Sequence, residues 1–162
     1  KIAPDCRIAV HSGEVIAAAY GAGGMGGFSV TGEALEFSRK LCLANTFYGS
    51  RILLGPRVFA LAAEAVEVRP MELIRLPGQR APEEIYELLA PKGGLDETER
   101  ERREMFWKGG ILFRGQRFEE AAGHFHAVVN REEGEDAPAR FYLERIRHAR
   151  EKTRALDWEL LR

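Results

Sequence analysis

Cysteine and histidine are scarce in this sequence of 162 residues. The two cysteines, Cys6 and Cys42, are too few for a disulfide scaffold and lack the spacing of a zinc site. We therefore expect both to be buried, reduced thiols. His124 and His126 are predicted to lie on opposite sides of one helix, where they cannot share a metal ion. His11 is interpreted as a packing residue that contacts the hairpin following it.

Long hydrophobic runs and an excess of charge of one sign are also absent. No apolar stretch approaches the roughly 18–20 residues that a membrane-spanning helix needs. Lysine and arginine total 24 against 25 for aspartate and glutamate, which gives a formal net charge of −1. This balance gives no reason to expect binding to nucleic acid or contact with a membrane surface. The remaining composition, 45% hydrophobic and 30% charged, is typical of a globular protein.

The order of predicted elements is typical of an α+β fold, with helices packed on a sheet. Runs of branched residues predict strands at 7–11, 14–20, 28–31, 51–54, 65–69, 71–76 and 84–89. The glycines at 21–27 connect two of these strands, so residues 14–31 are predicted to form one long hairpin. Helices are predicted at 33–44 and 56–63. Four residues have the spacing of a buried face on the first helix: Ala34, Ser38, Leu41 and Cys42.

From Asp96 onward the composition changes to dense mixed charge and then to a helical apolar stripe. Further helices are predicted at 118–129 and 137–152. The pair of helices within 103–130 resembles a single tetratricopeptide unit, with Gly109 where the helices cross and Phe118, Ala121 and Phe125 on the packing face. One such unit cannot bury its own apolar face, so residues 97–152 are expected to pack on the preceding domain or on a partner.

One stretch, residues 28–41, concentrates polar side chains at the junction of a strand, a glycine and a helix. Glu36 and Lys40 are four residues apart and therefore share one face of the predicted helix. The residues alone leave two interpretations open. The pair is either part of a site or an ordinary helix ion pair that contributes about 0.3–0.5 kcal/mol.

This stretch and five landmarks in order resemble the second half of the class III adenylate/guanylate cyclase catalytic domain. The landmarks are residues 7–15, 30–32, 48–53, 68–71 and 82–88. The resemblance implies that residues 1–92 are the C-terminal half of a ferredoxin-like nucleotidyl cyclase domain, with a sheet covered by helices. Residues 93–162 would then be a helical, tetratricopeptide-like extension. We also expect the first half of the cyclase domain to be missing before Lys1.

The resemblance implies a role for four side chains. Glu36 stands where the family has the asparagine that orients the ribose, and Lys40 stands where it has the arginine that stabilises the transition state. Ser29 matches the strand position that contacts the purine, and Arg39 adjoins the arginine position. Lysine retains the positive charge but loses the bidentate fork. A glutamate near a triphosphate repels it by roughly 4 kcal/mol at about 4 Å and an effective dielectric constant near 20.

The family uses Mg²⁺ or Mn²⁺ held by two aspartates in the first half of its domain, so these ligands are expected to be absent from this chain. The main hypothesis is therefore a fragment of a cyclase-like signalling protein that is catalytically incompetent on its own and degenerate. Two alternatives stay open: an active adenylate cyclase in the full-length dimer, and a pseudo-cyclase that binds nucleotide or protein without turnover. ATP or GTP, a head-to-tail homodimer and a cytoplasmic location are further implications.

Overall fold

The computed structural model describes residues 6–22, 25–75, 82–130 and 136–151. These parts of the chain contain six strands and five helices. In chain order they are β1 (Ile8–Val10), β2 (Ile16–Ala22), β3 (Met25–Thr31), α1 (Glu33–Tyr48), β4 (Ile52–Leu54), α2 (Pro56–Ala62), β5 (Val66–Ile74), β6 (Glu83–Pro91), α3 (Glu97–Arg114), α4 (Phe118–Val129) and α5 (Ala137–Glu151).

A four-stranded sheet has the order β1-β4-β6-β5, and β2 and β3 form a separate antiparallel hairpin. β1 and β4 are parallel, and the other two pairs of the larger sheet are antiparallel. The parallel pair requires a long crossover, which the hairpin and α1 provide. The predicted α+β fold, with helices on a largely antiparallel sheet, is therefore confirmed, and so is the predicted hairpin.

β5 is one continuous strand, although two strands were predicted on either side of Pro70. The pairing register of β5 with β6 shifts between Pro70 and Glu72 and again between Glu67 and Val68. Proline has no N–H to donate, and it is accommodated in sheets at edge strands and bulges. β5 is an edge strand of the sheet, so it bends at Pro70 instead of ending there. Residues 76–81, which follow this strand, lie outside the described residues.

Helix α1 extends four residues beyond its predicted end and buries a different face. It ends at Gly49, whose φ of 70° is the left-handed conformation typical of a helix C-cap. Of the four residues predicted to be buried, only Leu41 is fully so. The Ser38 hydroxyl donates to the Leu35 carbonyl instead. The buried face consists of Phe37, Leu41, Ala44, Asn45 and Tyr48.

The prediction that both thiols are buried is also wrong. Cys6 is exposed, and Cys42 is half-buried. The Cys42 sulfur lies 3.5 Å from the Arg7 carbonyl oxygen, at the margin between α1 and the residues that precede β1. Cys6 precedes β1, which is an edge strand of the described sheet, and Cys42 lies on α1 close to the same segment.

The helices α3 to α5 pack on the sheet, as expected from their apolar stripe. One hydrophobic core runs from Leu41 and Ile85 to Phe125 and Ile146. The Arg69 guanidinium binds Glu87 at 2.6 Å and Asp136, which precedes α5, at 2.7 Å. Tyr142 of α5 donates its hydroxyl to the Met71 carbonyl. None of the helices in the described ranges is long and apolar enough to cross a membrane.

Inside this unit, α3 and α4 cross at Gly109, as predicted. A Cβ atom at Gly109 would lie 3.0 Å from the Phe125 ring, so the two helices approach each other closely at this residue. Ala121 and Phe125 are fully buried, and Phe118 packs against the same core. The helix pair is therefore established, whereas its likeness to a tetratricopeptide unit stays a prediction.

Candidate functional site

The hairpin and α1 meet at Gly32, and the geometry at this corner permits only glycine. Its φ of 141° is rarely adopted by other residues. A Cβ there would approach the Glu14 carbonyl oxygen to 3.1 Å and the Val15 Cα to 3.2 Å. The Gly32 carbonyl accepts hydrogen bonds from the amides of Leu35 and Glu36, which starts the helix. The base of the hairpin is therefore held tightly against the first turn of α1.

A cavity of about 920 Å³ opens beside this corner. It lies between the end of β1, the first turns of α1 and α2, and the start of β6. Its charged lining is mixed, with carboxylates outnumbering cations. The lining residues with ionisable side chains are His11, Glu14, Glu33, Glu36, Lys40, Arg57 and Glu83.

The structure brings two of the four predicted site residues to this cavity. Glu36 and Lys40 line it, whereas Ser29 and Arg39 do not. Ser29 pairs with Ala18 across the hairpin, on the same face as Thr31 but two residues further from the corner. Thr31 does line the cavity, so Ser29 lies beyond its rim on the same side.

The spacing of four residues suggested an ion pair between Glu36 and Lys40. In the structure Glu36 pairs with Arg39 instead. An Arg39 guanidinium nitrogen lies 2.8 Å from a Glu36 carboxylate oxygen. The two side chains are 65% and 59% exposed, so the pair contributes at most about 1 kcal/mol. Lys40 has no hydrogen bond or ion pair with any residue in the described parts of the chain. Lys40 is a half-buried residue, and its ammonium is therefore available to a ligand in the cavity.

The His11 ring, which the sequence predicted to pack against the hairpin, packs on α1. It meets the Phe37 ring edge to face, with centroids 4.5 Å apart. On its other side is Gly55, where a Cβ would lie 2.2 Å from His11 Nδ1. Nδ1 is buried and has no hydrogen-bond partner. The glycine before Pro56 was the sequence signal for this packing, because it leaves room for the ring.

Burial lowers the pKa of His11, and the positive charge of Arg57 lowers it further. The carboxylate of Glu83 acts in the opposite direction and raises the pKa. Burial is the largest of the three effects, so His11 is a neutral imidazole in the wall of the cavity at neutral pH.

Arg57 also lines the cavity, and the sequence gave no indication of it. It is exposed on the first turn of α2, and among the described residues it has no ion pair. The sequence predicted the helix but gave no reason to associate its first turn with the start of α1. Only the sheet brings the two helix starts together, because β1 and β4 are parallel neighbours and end on the same side.

The described residues contain no group of three or more histidine, cysteine, aspartate or glutamate side chains that could hold a metal ion. Among these residues, therefore, no three carboxylates of the cavity form a preassembled set of metal ligands. The expectation that Mg²⁺ or Mn²⁺ ligands of the parent domain lie outside this chain stays a prediction.

No protein-family model matches the chain, and no curated protein matches it. Among solved structures it is similar to the adenylyl cyclase CyaB from P. aeruginosa, with 19% sequence identity and a TM-score of 0.38. The similarity covers 51% of this chain and 41% of the CyaB chain. The chain thus spans about two-fifths of the length of the structure it matches.

Proposed function

We propose that the chain is the C-terminal half of a class III nucleotidyl cyclase-like module with a helical extension, and that it makes no cyclic nucleotide by itself. The observation that carries the proposal is Lys40. It lies on α1 at the position that resembles the transition-state arginine of the family, it lines the cavity, and it has no partner in the described residues. An unpaired cation at this point suits the phosphate groups of ATP or GTP.

Incompetence of the isolated chain follows from the metal requirement of the reaction. Attack of the ribose 3′ oxygen on the α-phosphorus uses metal ions to activate the nucleophile and to neutralise the triphosphate. The resemblance assigns their aspartate ligands to a part of the domain that these residues do not match. The carboxylates around the cavity are, in addition, dispersed over the hairpin, α1 and β6.

A degenerate site also fits the Glu36 side chain, which replaces an amide with a carboxylate. The contact with Arg39 offsets part of its negative charge, but both groups are exposed and the compensation is weak. A nucleotide beside α1 would still meet repulsion from the Glu36 carboxylate itself. This favours the pseudo-cyclase that binds without turnover over the fully active adenylate cyclase.

The proposed assembly is a head-to-tail homodimer in which the hairpin and α1 of one subunit face the partner. Support comes from large apolar side chains that are exposed on both faces of the hairpin. Ile16 and Tyr20 are 70% and 65% exposed on one face, and Phe28 is 81% exposed on the other. A two-stranded hairpin is at best marginally stable without a surface to cover it.

The test uses the parent protein that contains these residues together with the complete domain. Glu36→Asn is expected to raise turnover or nucleotide affinity by about ten-fold, since removal of one like-charge contact is worth roughly 1–2 kcal/mol after screening by solvent and by Arg39. Lys40→Arg is expected to add a further gain that is coupled to the first, because the two side chains share one helix face. Cyclic nucleotide formation with MgATP and MnATP is the measurement.

Glu97→Gln is the matched control. Glu97 is exposed on α3 and lies outside the cavity, so this substitution removes one negative charge away from the site. A loss of activity in Glu36→Asn would show that glutamate is an adapted active-site residue and that the module is not degenerate. Formation of cyclic AMP or cyclic GMP by the purified chain alone would overturn the proposed incompetence.

A further inference from the structure

Three hydrogen-bond donors from different elements converge on the cavity, and none has a partner in the described parts of the chain. They are the His11 ring at the end of β1, the Lys40 ammonium on α1 and the Arg57 guanidinium on α2. Only the order of the sheet brings these elements together, so the set is a product of the fold and not of one local sequence.

The tautomer of His11 follows from its packing. Nδ1 is enclosed between Phe37 and Gly55 and has no partner. An enclosed N–H without an acceptor is rarer in proteins than an enclosed lone pair, so Nδ1 is the unprotonated nitrogen. The ring proton is then on Nε2. His11 consequently offers the cavity one neutral N–H donor beside two permanent cations.

We propose that the cavity is a binding site for a phosphate-group anion, held between the Lys40 ammonium and the Arg57 guanidinium with the His11 Nε2–H as a third donor. Lysine acts as a compact point charge, and arginine offers a planar fork that matches two phosphate oxygens. A neutral imidazole adds one directional hydrogen bond to the anion without adding charge. The anion bridges α1 and α2, which carry Lys40 and Arg57.

The carboxylates in the lining set the strength of this site. Glu36 is neutralised in part by Arg39, and Glu14 and Glu33 are exposed to solvent. Glu83 is different, because it is half-buried and acts electrostatically on His11. It therefore opposes an anion directly. The site should be weak in the wild-type chain and stronger once this one charge is removed.

Pyrophosphate, with metal ions removed by chelator, is the probe, and titration calorimetry of the whole chain is the measurement. The expected dissociation constant is on the order of 0.1–1 mM. Lys40→Gln and Arg57→Gln should each weaken binding about five- to ten-fold, whereas Glu83→Gln should tighten it by a similar factor. Lys108→Gln removes the same charge from an exposed pair on α3 and should leave binding unchanged.

A second readout is the imidazole signal of His11 in the nuclear magnetic resonance spectrum, which should shift with pyrophosphate in the wild type. In Arg57→Gln the same shift should need about five- to ten-fold more pyrophosphate. No measurable binding of pyrophosphate, or equal weakening by Lys108→Gln, would overturn the proposal. A Glu83→Gln variant with unchanged or weaker binding would also overturn it. The site rests on the same free Lys40 cation as the proposed function. The two are distinguished by experiment, because a failure of the cyclase proposal alone would change cyclic nucleotide formation in the parent protein and leave pyrophosphate binding to this chain intact.

Discussion

His11 illustrates how one side chain links the sheet to both helix starts at the cavity. Its ring fills the space that Gly55 leaves open and contacts the Phe37 ring, which belongs to the buried face of α1. The ring thereby fixes the distance between the end of β1 and the helix that carries Glu36 and Lys40. Its enclosed Nδ1 cannot gain a proton without burying an unpaired N–H.

The first consequence is a pH dependence of stability. The pKa of His11 is lowered from 6.5 by burial, so the unfolded chain binds the extra proton more readily than the folded chain does. The free energy of unfolding should therefore fall as the pH decreases from about 6.5 to the folded-state pKa, and level off below it. Urea unfolding at a series of pH values measures this change, and imidazole titration by magnetic resonance gives the folded-state pKa.

His11→Gln serves as the control, because it keeps a side chain of similar size and removes the ionisable group. The pH-dependent part of stability in that window should disappear in this variant. A folded-state pKa at or above 6.5 in the wild type would mean that the surroundings of Glu83 accommodate the imidazolium, which contradicts the dominant effect of burial.

Among the elements, α3 offers two adjacent glycines whose surroundings differ completely. A Cβ at Gly109 would meet the Phe125 ring at 3.0 Å, whereas a Cβ at Gly110 would meet nothing within 4 Å. Phe125 cannot move aside easily, since it is fully buried and stacks on Tyr142 with a centroid distance of 4.9 Å. The helix needs the first glycine for packing and has no packing reason for the second.

Gly110→Ala should therefore raise the free energy of unfolding by about 0.5–1 kcal/mol, because alanine is the better helix former. Gly109→Ala should lower it by about 0.5–2 kcal/mol, since the cost of overpacking exceeds the gain in helix propensity. Both values come from urea unfolding, and each variant is the control for the other. Equal stabilisation by both would show that the Phe125 ring relaxes and that the crossing tolerates a methyl group.

Most elements were predictable from sequence, because alternation and turn residues are local signals. Helix 118–129 was predicted with the bounds that the structure shows. The buried face of α1 was not, because the apolar spacing of Ala34 and Ser38 competes with that of Phe37 and Tyr48, and only the sheet selects between them. Pro70 was misread for a similar reason. Its effect depends on whether the strand is at an edge, which is a property of the whole sheet.

The candidate site was only half predictable. Glu36 and Lys40 belong to one helix, so their common face follows from the spacing alone. His11 and Arg57 join them through the parallel pairing of β1 and β4, which no local pattern in the sequence indicates. The exposure of the two cysteines was missed because it depends on which strand ends the sheet.

For the whole molecule, charge reinforces the attachment of the helical extension to the sheet. Several arginines of the helices bind glutamates of the two strands β5 and β6. In one further pair the arginine is on the strand, because Arg69 of β5 binds Asp136, which precedes α5. The helix-to-strand pairs are Arg103 with Glu67, Arg114 with Glu84 and Arg145 with Glu72. Combined with the shared apolar core, these contacts mean that the extension and the sheet belong to one packed body.

Several large apolar side chains of that body are exposed on the hairpin, which leads to a prediction about assembly. If the proposed homodimer buries Phe28, then Phe28→Ser should weaken dimerisation by at least about 30-fold, the loss of a hot-spot contact of roughly 2 kcal/mol. Sedimentation velocity over a range of concentrations measures the effect. Leu61→Ser is the control, because Leu61 is 78% exposed on α2 and lies outside the hairpin.

Equal weakening by Leu61→Ser would show that general loss of apolar surface, and not the hairpin, is responsible. A wild-type chain that stays monomeric at every concentration would contradict the homodimer.

Gly49 caps the end of α1 and, because it has no side chain, leaves room for the first residue of α5 to pack against it. A Cβ at this residue would lie 2.3 Å from the Cβ of Ala137, and the Tyr48 and Phe141 rings meet beside it at 4.9 Å. Helix α1 has 16 residues and is about 24 Å long, with this joint at one end and the cavity at the other. The helix is rigid and is in contact with other elements at both ends. A sideways displacement of α5 is therefore either absorbed at Gly49 or transmitted along α1 to Lys40.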